Sequence, residues 1–204
     1  MKKYFAALTT TALIGAAPYA IAASNVDLTV KGLITPVACT PTLSSGGVID
    51  LGKISSQDLN RESNTMVGSR EIQLVVTCSA PAKFALNPID NRDGTSIADW
   101  FGLGLTDDGQ RLGYFSTKVK QVKDGVTSLD AIRSSNGGSS WVKTTDAEAG
   151  YLLSVATIGS TTPVDAEVVT FDFEVNTYIA RADSLTLDNE VTIDGSATFE
   201  VKYL

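Results

Sequence analysis

An all-β, antiparallel sandwich is the fold class that this sequence predicts, and three observations predict it. Apolar residues recur at every second position in several short runs. Frequent turns of Gly, Asp, Asn and Pro separate those runs. No window sustains a 3.6-residue apolar period. Side chains alternate between the two faces of a strand, so a period of two marks a strand with one face buried.

Taken in order, the first alternating run is Val26, Leu28 and Val30, leading to Gly32 and Ile34 before Pro36 breaks it. Ser44 to Gly47 forms a turn, followed by a short strand around Val48 to Leu51. Ser55 to Ser63 is polar and has room for one helical turn. Glu71 to Cys78 and Ala82 to Pro88 read as strands, and Asp90 to Gly94 as a turn. Leu112 to Val122 is a strand closed by a tight Asp124-Gly125 turn. Ser134 to Gly150 is rich in small polar residues and reads as a long loop. Tyr151 to Ile158 and Val168 to Ile179 are strands, and Asp194-Gly195 is the last turn. Ala197, Phe199, Val201 and Tyr203 then share one face of a terminal strand, with Thr198, Glu200 and Lys202 on the other. That strand closes the sequence, so its far edge is expected to need a neighbour, from this chain or another protein.

The first residues set the compartment. Lys2 and Lys3 precede a short apolar stretch, Phe5 to Ala17, and Ala20-Ile21-Ala22 fits a signal-peptidase site. Residues 1–22 are expected to be a signal peptide, cleaved after Ala22 or Ala23, leaving 23–204 as a single domain. The apolar stretch is too short to span a bilayer. The net charge of −7 becomes more negative when the two lysines leave. An acidic chain disfavours nucleic acid and anionic membrane surfaces as partners. In an exported chain the two cysteines, Cys39 and Cys78, are expected to form one disulfide. A redox pair would call for C-x-x-C spacing, which is absent.

Catalytic motifs are missing. The chain contains no histidine, which removes Ser-His-Asp and Cys-His arrangements and the usual zinc sites. Asp107-Asp108 sits in a turn and is read as solvated rather than as an acid/base pair. Asp90, Asn91 and Asp93 lack the spacing of an EF-hand and are read as turn formers. Trp100 and Trp141 could stack on a sugar, but packing against the sandwich is the favoured reading. The expectation is a non-enzymatic binding or assembly module with no catalytic, metal or cofactor residues.

Several features taken together resemble a known family. The leader is followed at once by the alternating run Val26 to Gly32. Gly32-Leu33-Ile34-Thr35-Pro36-Val37-Ala38-Cys39 leads into the first cysteine, and Cys78 ends a strand. Phe173 to Arg181 is an aromatic-rich strand with an Ala-Arg end, and Ala197, Phe199 and Tyr203 form an Ala-x-Phe-x-x-x-Tyr terminus. This pattern resembles subunits of chaperone–usher fimbriae. The stretch Ile34 to Gly47 with Asp50-Leu51-Gly52-Lys53-Ile54 resembles their GltF-like branch of fimbrial-like periplasmic proteins. The resemblance implies an incomplete immunoglobulin-like sandwich, lacking its final strand. It implies a groove beside Ala197, Phe199, Val201 and Tyr203, filled first by a periplasmic chaperone and later by a neighbouring subunit's donor strand. In this sequence Val26, Leu28 and Val30 would be that strand. The implied partners are the chaperone, an outer-membrane usher, neighbouring subunits and an unidentified surface receptor; the implied location is a surface fimbrium reached through the periplasm. A soluble periplasmic binding or regulatory protein with the same fold remains the alternative.

Overall fold

The computed structural model describes residues 28–32 and 37–204. The expected signal peptide and Val26 lie outside the described residues. Leu28 to Gly32 form no strand, and the side chains of Leu28 and Val30 are 90% and 88% exposed.

From residue 37 onward ten strands follow in chain order. They are β1 (Cys39–Leu43), β2 (Thr65–Ala82), β3 (Phe84–Asp90), β4 (Phe101–Gly102), β5 (Gly113–Asp124), β6 (Thr127–Ser134), β7 (Val142–Lys143), β8 (Leu152–Thr157), β9 (Ala166–Ile179) and β10 (Ala197–Tyr203). Among the described residues the only helices are short 3-10 turns, one of them at Ser56–Asp58, where the Ser55 hydroxyl accepts from the Gln57 N–H. No helix there is long and apolar enough to cross a membrane.

All the pairings are antiparallel and run in the order β1-β2-β9-β5-β6-β8-β3-β10. The chain of pairings folds back at the β5–β6 hairpin, which is paired only near its tip, from Val122 opposite Leu129 to Asp124 opposite Thr127. Two layers result: β1, β2, β9 and β5 in one, β6, β8, β3 and β10 in the other. Leu74, Val76, Phe171 and Phe173 of the first layer join Phe84, Leu86, Leu153 and Val155 of the second in one buried core. The alternation of β9, with every second residue buried from Val169 to Ile179, is the sequence period made visible. This is the all-β sandwich that the sequence predicts.

Cys39 and Cys78 stand directly opposite each other in the β1–β2 pairing and are joined by a disulfide. Such bonds persist in oxidising compartments outside the cytoplasm, which fits export.

Three elements differ from expectation. Val48 to Leu51 alternates but forms no strand and joins no ladder of the sheet. Asp194-Gly195 is not a turn: the chain runs without regular structure from Val191 to Ser196. β6 was not legible as a strand, since its burial does not alternate; Ala131 and Ile132 are both buried.

Candidate strand-acceptor cleft

Among the described residues β1 is paired on one side only, with β2, and β10 on one side only, with β3. These two edges face each other. At one end they meet: the Cys39 N–H donates to the Tyr203 hydroxyl at 2.7 Å. From there they diverge, leaving an apolar cleft of about 230 Å³. One wall is Leu43 with Ile49 and Leu51, and the other is Ala197 and Phe199. Ile72, Phe115, Phe173 and Val175 form the floor. No charged side chain lines it among the described residues.

Each wall has a local cause. The Ser44–Gly47 turn places Ser45, Gly46 and Gly47 in the left-handed region and sends the chain back along the cleft toward Ile49. On the other side, Asn91 pins the start of β10. Its N–H donates to the Ser196 carbonyl at 3.0 Å, and its side-chain amide donates to the Ser196 and Thr198 hydroxyls. Arg92 adds a hydrogen bond from Nε to the Asp194 carbonyl at 3.0 Å. Gly195 packs closely there: a Cβ would lie 2.8 Å from Leu103 Cδ2 and 3.1 Å from the Phe115 ring, so a larger residue would have to displace the Leu103 side chain.

The residues expected on the terminal strand fall into three settings. Ala197 and Phe199 line the cleft, with the Phe199 ring stacked on Phe173 at 5.5 Å. Val201 is half-buried against the core. Tyr203, 41% exposed, holds the closed end. Of the donor residues, Leu28 and Val30 are exposed and Val26 lies outside the described residues. The facing wall and the floor were not singled out from sequence. The alternation of Ile49 and Leu51 was their one local signal; the rest arises from pairings between residues distant in sequence.

The other candidates lie outside the cleft lining. Asp90 accepts backbone N–H bonds from Arg92 and Gly102, as a turn former does. Asp107 and Asp108 sit in a turn whose hydrogen bonds run between Thr106 and Gln110. Trp100 is half-buried under the Lys118 ammonium, 4.8 Å from the ring centroid, and Trp141 donates its indole N–H to the Gly138 carbonyl. Among the described residues three groups titrate away from their ordinary values, and none lines the cleft. Burial, then the neighbouring Tyr178, raises the Tyr114 phenol. Hydrogen bonds from Lys143 and the Gly159 N–H lower the Asp130 carboxyl. Those from Asn176 and Lys120 lower Glu174.

Protein GltF of Escherichia coli (strain K12) is 30% identical to this chain over 89% of each sequence. The chain belongs to the GltF family. A second relative, the Uncharacterized protein YhcF of the same strain, is 24% identical over 90% of this chain and 92% of its own length. The family model described as Protein of unknown function (DUF1120) matches residues 28–100. In the GltF-family chain that span carries β1, the disulfide, β2 and β3, and so one wall of the cleft and the strand on which the other is built.

Proposed function

We propose that this GltF-family protein is a structural subunit of a chaperone–usher-type surface fimbria, assembled by donor-strand exchange and supporting adhesion. The observation that carries this reading is the apolar cleft, uncharged among the described residues, between two strand edges that are each paired there on one side only. Free edges beside buried apolar side chains invite an added strand, with the backbone giving affinity and alternate side chains filling the slot. The chain has a segment of that kind. β10 is seven residues long, about 23 Å at strand rise, and Val26 to Gly32 spans the same length. Val26, Leu28 and Val30 would face inward, and Asp27, Thr29 and Lys31 outward. Because Tyr203 and Cys39 close one end, a tethered donor must leave through the other. It would therefore run antiparallel to β10. A periplasmic chaperone would cover the same cleft before assembly. A site with these walls binds a strand rather than performing chemistry.

The test uses the mature chain and a synthetic peptide of residues 23–32. The peptide is expected to raise the melting temperature, and the rise should grow with the logarithm of peptide concentration above its dissociation constant. With Leu28→Asp a carboxylate would enter an apolar slot without a partner, at a cost of several kcal/mol, so binding should fall more than roughly a hundredfold. A chain that folds without a chaperone, stays monomeric and ignores the peptide would instead be a soluble periplasmic binding or regulatory protein.

A further inference from the structure

A separate hollow of about 470 Å³ opens between the loop that follows β3 and the loop that precedes β8. Its volume is that of a small-molecule site. It shares no lining residue with the cleft. Two aromatic rings line it, Trp100 from the first loop and Tyr151 from the second. Each carries a cation on one face: the Lys118 ammonium lies 4.8 Å from the Trp100 centroid, and the Arg133 guanidinium 4.8 Å from that of Tyr151. The cations are themselves held, Lys118 by Asp146 and Arg133 by Glu148. The loops are held as well. Asp90 accepts the Arg92 and Gly102 N–H groups at 2.8 and 2.9 Å, and the Thr95 hydroxyl bridges the Arg92 carbonyl and the Gly104 N–H. Across the hollow the Tyr151 N–H donates to the Glu148 carbonyl at 3.4 Å. Four polar groups of the lining are left over. Asp93, Asp99, the Trp100 indole N–H and the Tyr151 hydroxyl make no hydrogen bond or ion pair with the described residues. No buried side-chain nitrogen or oxygen there lacks a partner, so all four are open to solvent.

We propose that this hollow binds the terminal hexose of a neutral glycan, with the sugar's ring face against Trp100 and Tyr151 and its hydroxyls on Asp93 and Asp99. The C–H bonds on one face of a pyranose carry slight positive charge and match the negative face of an aromatic ring. Sugar hydroxyls donate to carboxylates in short, charge-assisted bonds, and a sugar oxygen accepts from the indole N–H. Rings and loops already held in place lose little freedom when the ligand arrives. The charges choose among sugars. Four carboxylates, those of Asp90, Asp93, Asp99 and Glu148, line the hollow and repel acidic sugars. A free cation fits less well, because Lys118 and Arg133 already cover one face of each ring, and Asp90 and Glu148 are committed to groups of the chain. Asp93 and Asp99 are left as acceptors for hydroxyls. The proposal goes beyond the strand-acceptor reading and does not depend on it, since a fibre subunit and a soluble binding protein would use the hollow alike.

The test records the indole N–H resonances of the mature chain by nuclear magnetic resonance while the methyl glycosides of glucose, galactose and mannose are added in turn. At least one glycoside is expected to move the Trp100 resonance in a saturable way. Trp141, which lies outside the hollow, should stay in place. Tyr151→Leu removes one stacking face and should weaken binding of that glycoside roughly tenfold. Asp93→Ala with Asp99→Ala should weaken it by a similar factor, at the wild-type melting temperature, because neither carboxylate bonds to the described chain. Should Tyr151→Leu not fold, the aspartate pair decides. The 23–32 peptide should bind both variants as it binds wild type, since cleft and hollow have no residue in common. If none of the three glycosides moves Trp100, or if the aspartate variant binds as tightly as wild type, the sugar site is wrong; peptide binding in the same samples decides the strand-acceptor reading separately. If glucosamine moves Trp100 and the neutral glycosides do not, the hollow holds a cation, and the proposal is likewise overturned.

Discussion

Replacing Cys39 and Cys78 together by alanine cuts the covalent tie between β1 and β2 without leaving a free thiol. The bridge closes a loop of 39 residues, for which chain entropy gives a stabilisation of about 4 kcal/mol at 25 °C. The tie acts where it is needed. β1 is five residues long, is paired on one side among the described residues, and has only Cys39 and Leu43 half-buried. For a chain of this size each kcal/mol moves the midpoint by about 2–4 °C, so a fall of roughly 8–16 °C is expected. Thermal unfolding at neutral pH, followed by circular dichroism, measures it, and reductant added to the wild type should give a similar fall. The same variant should bind the 23–32 peptide more weakly, since β1 carries one wall of the cleft. A shift below roughly 2 °C would mean that the β1–β2 pairing and the core hold this edge without the bridge, and the argument from loop closure would be refuted.

Two further outcomes follow from individual contacts. Gly113→Ala should destabilise by about 3 kcal/mol or more, because a Cβ there would lie 2.1 Å from the Tyr178 carbonyl oxygen, which the β5–β9 pairing holds in place; denaturant titration measures it. The Asp130 carboxyl is held below its ordinary 3.8 by Lys143 and the Gly159 N–H, so its stabilisation is present above the usual carboxylate range and is lost as pH falls through the lowered folded value. The difference in melting temperature between wild type and Asp130→Asn should therefore be widest near neutrality and close in acid.

The parts of the fold that were legible from sequence are those set by local pattern. The alternation of Ala197, Phe199 and Val201 survives as half-buried positions between exposed Thr198, Glu200 and Lys202. Ile49 and Leu51 show why pattern alone misleads: their side chains face the cleft as a strand's would, but no backbone pairs with them. Gly195 reads as a turn residue beside Asp194, yet it serves close packing against Leu103 and Phe115. β6 hides because both of its faces carry buried side chains at Ala131 and Ile132. Half of the candidate site was readable, namely the terminal strand. The other half was not, since Leu43, Ile72 and Phe173 meet Phe199 only through pairings between distant segments.

The position of β10 has a consequence for the order in which the molecule can be made. β1 and β2 are neighbours in sequence, and their pairing and disulfide need only a short excursion of the chain. β3 must wait for β10, whose Glu200 is 113 residues beyond the Asn87 it hydrogen-bonds. Contacts that span such distances form slowly, because the loop must close before any pairing rewards it. Until then β3, with Phe84, Ala85 and Leu86 buried in the finished protein, offers a bare edge to any passing strand. Newly exported chains are therefore vulnerable to misassociation at this edge until the seven-residue β10 covers it, and from then on the open edge is that of β10 beside the cleft.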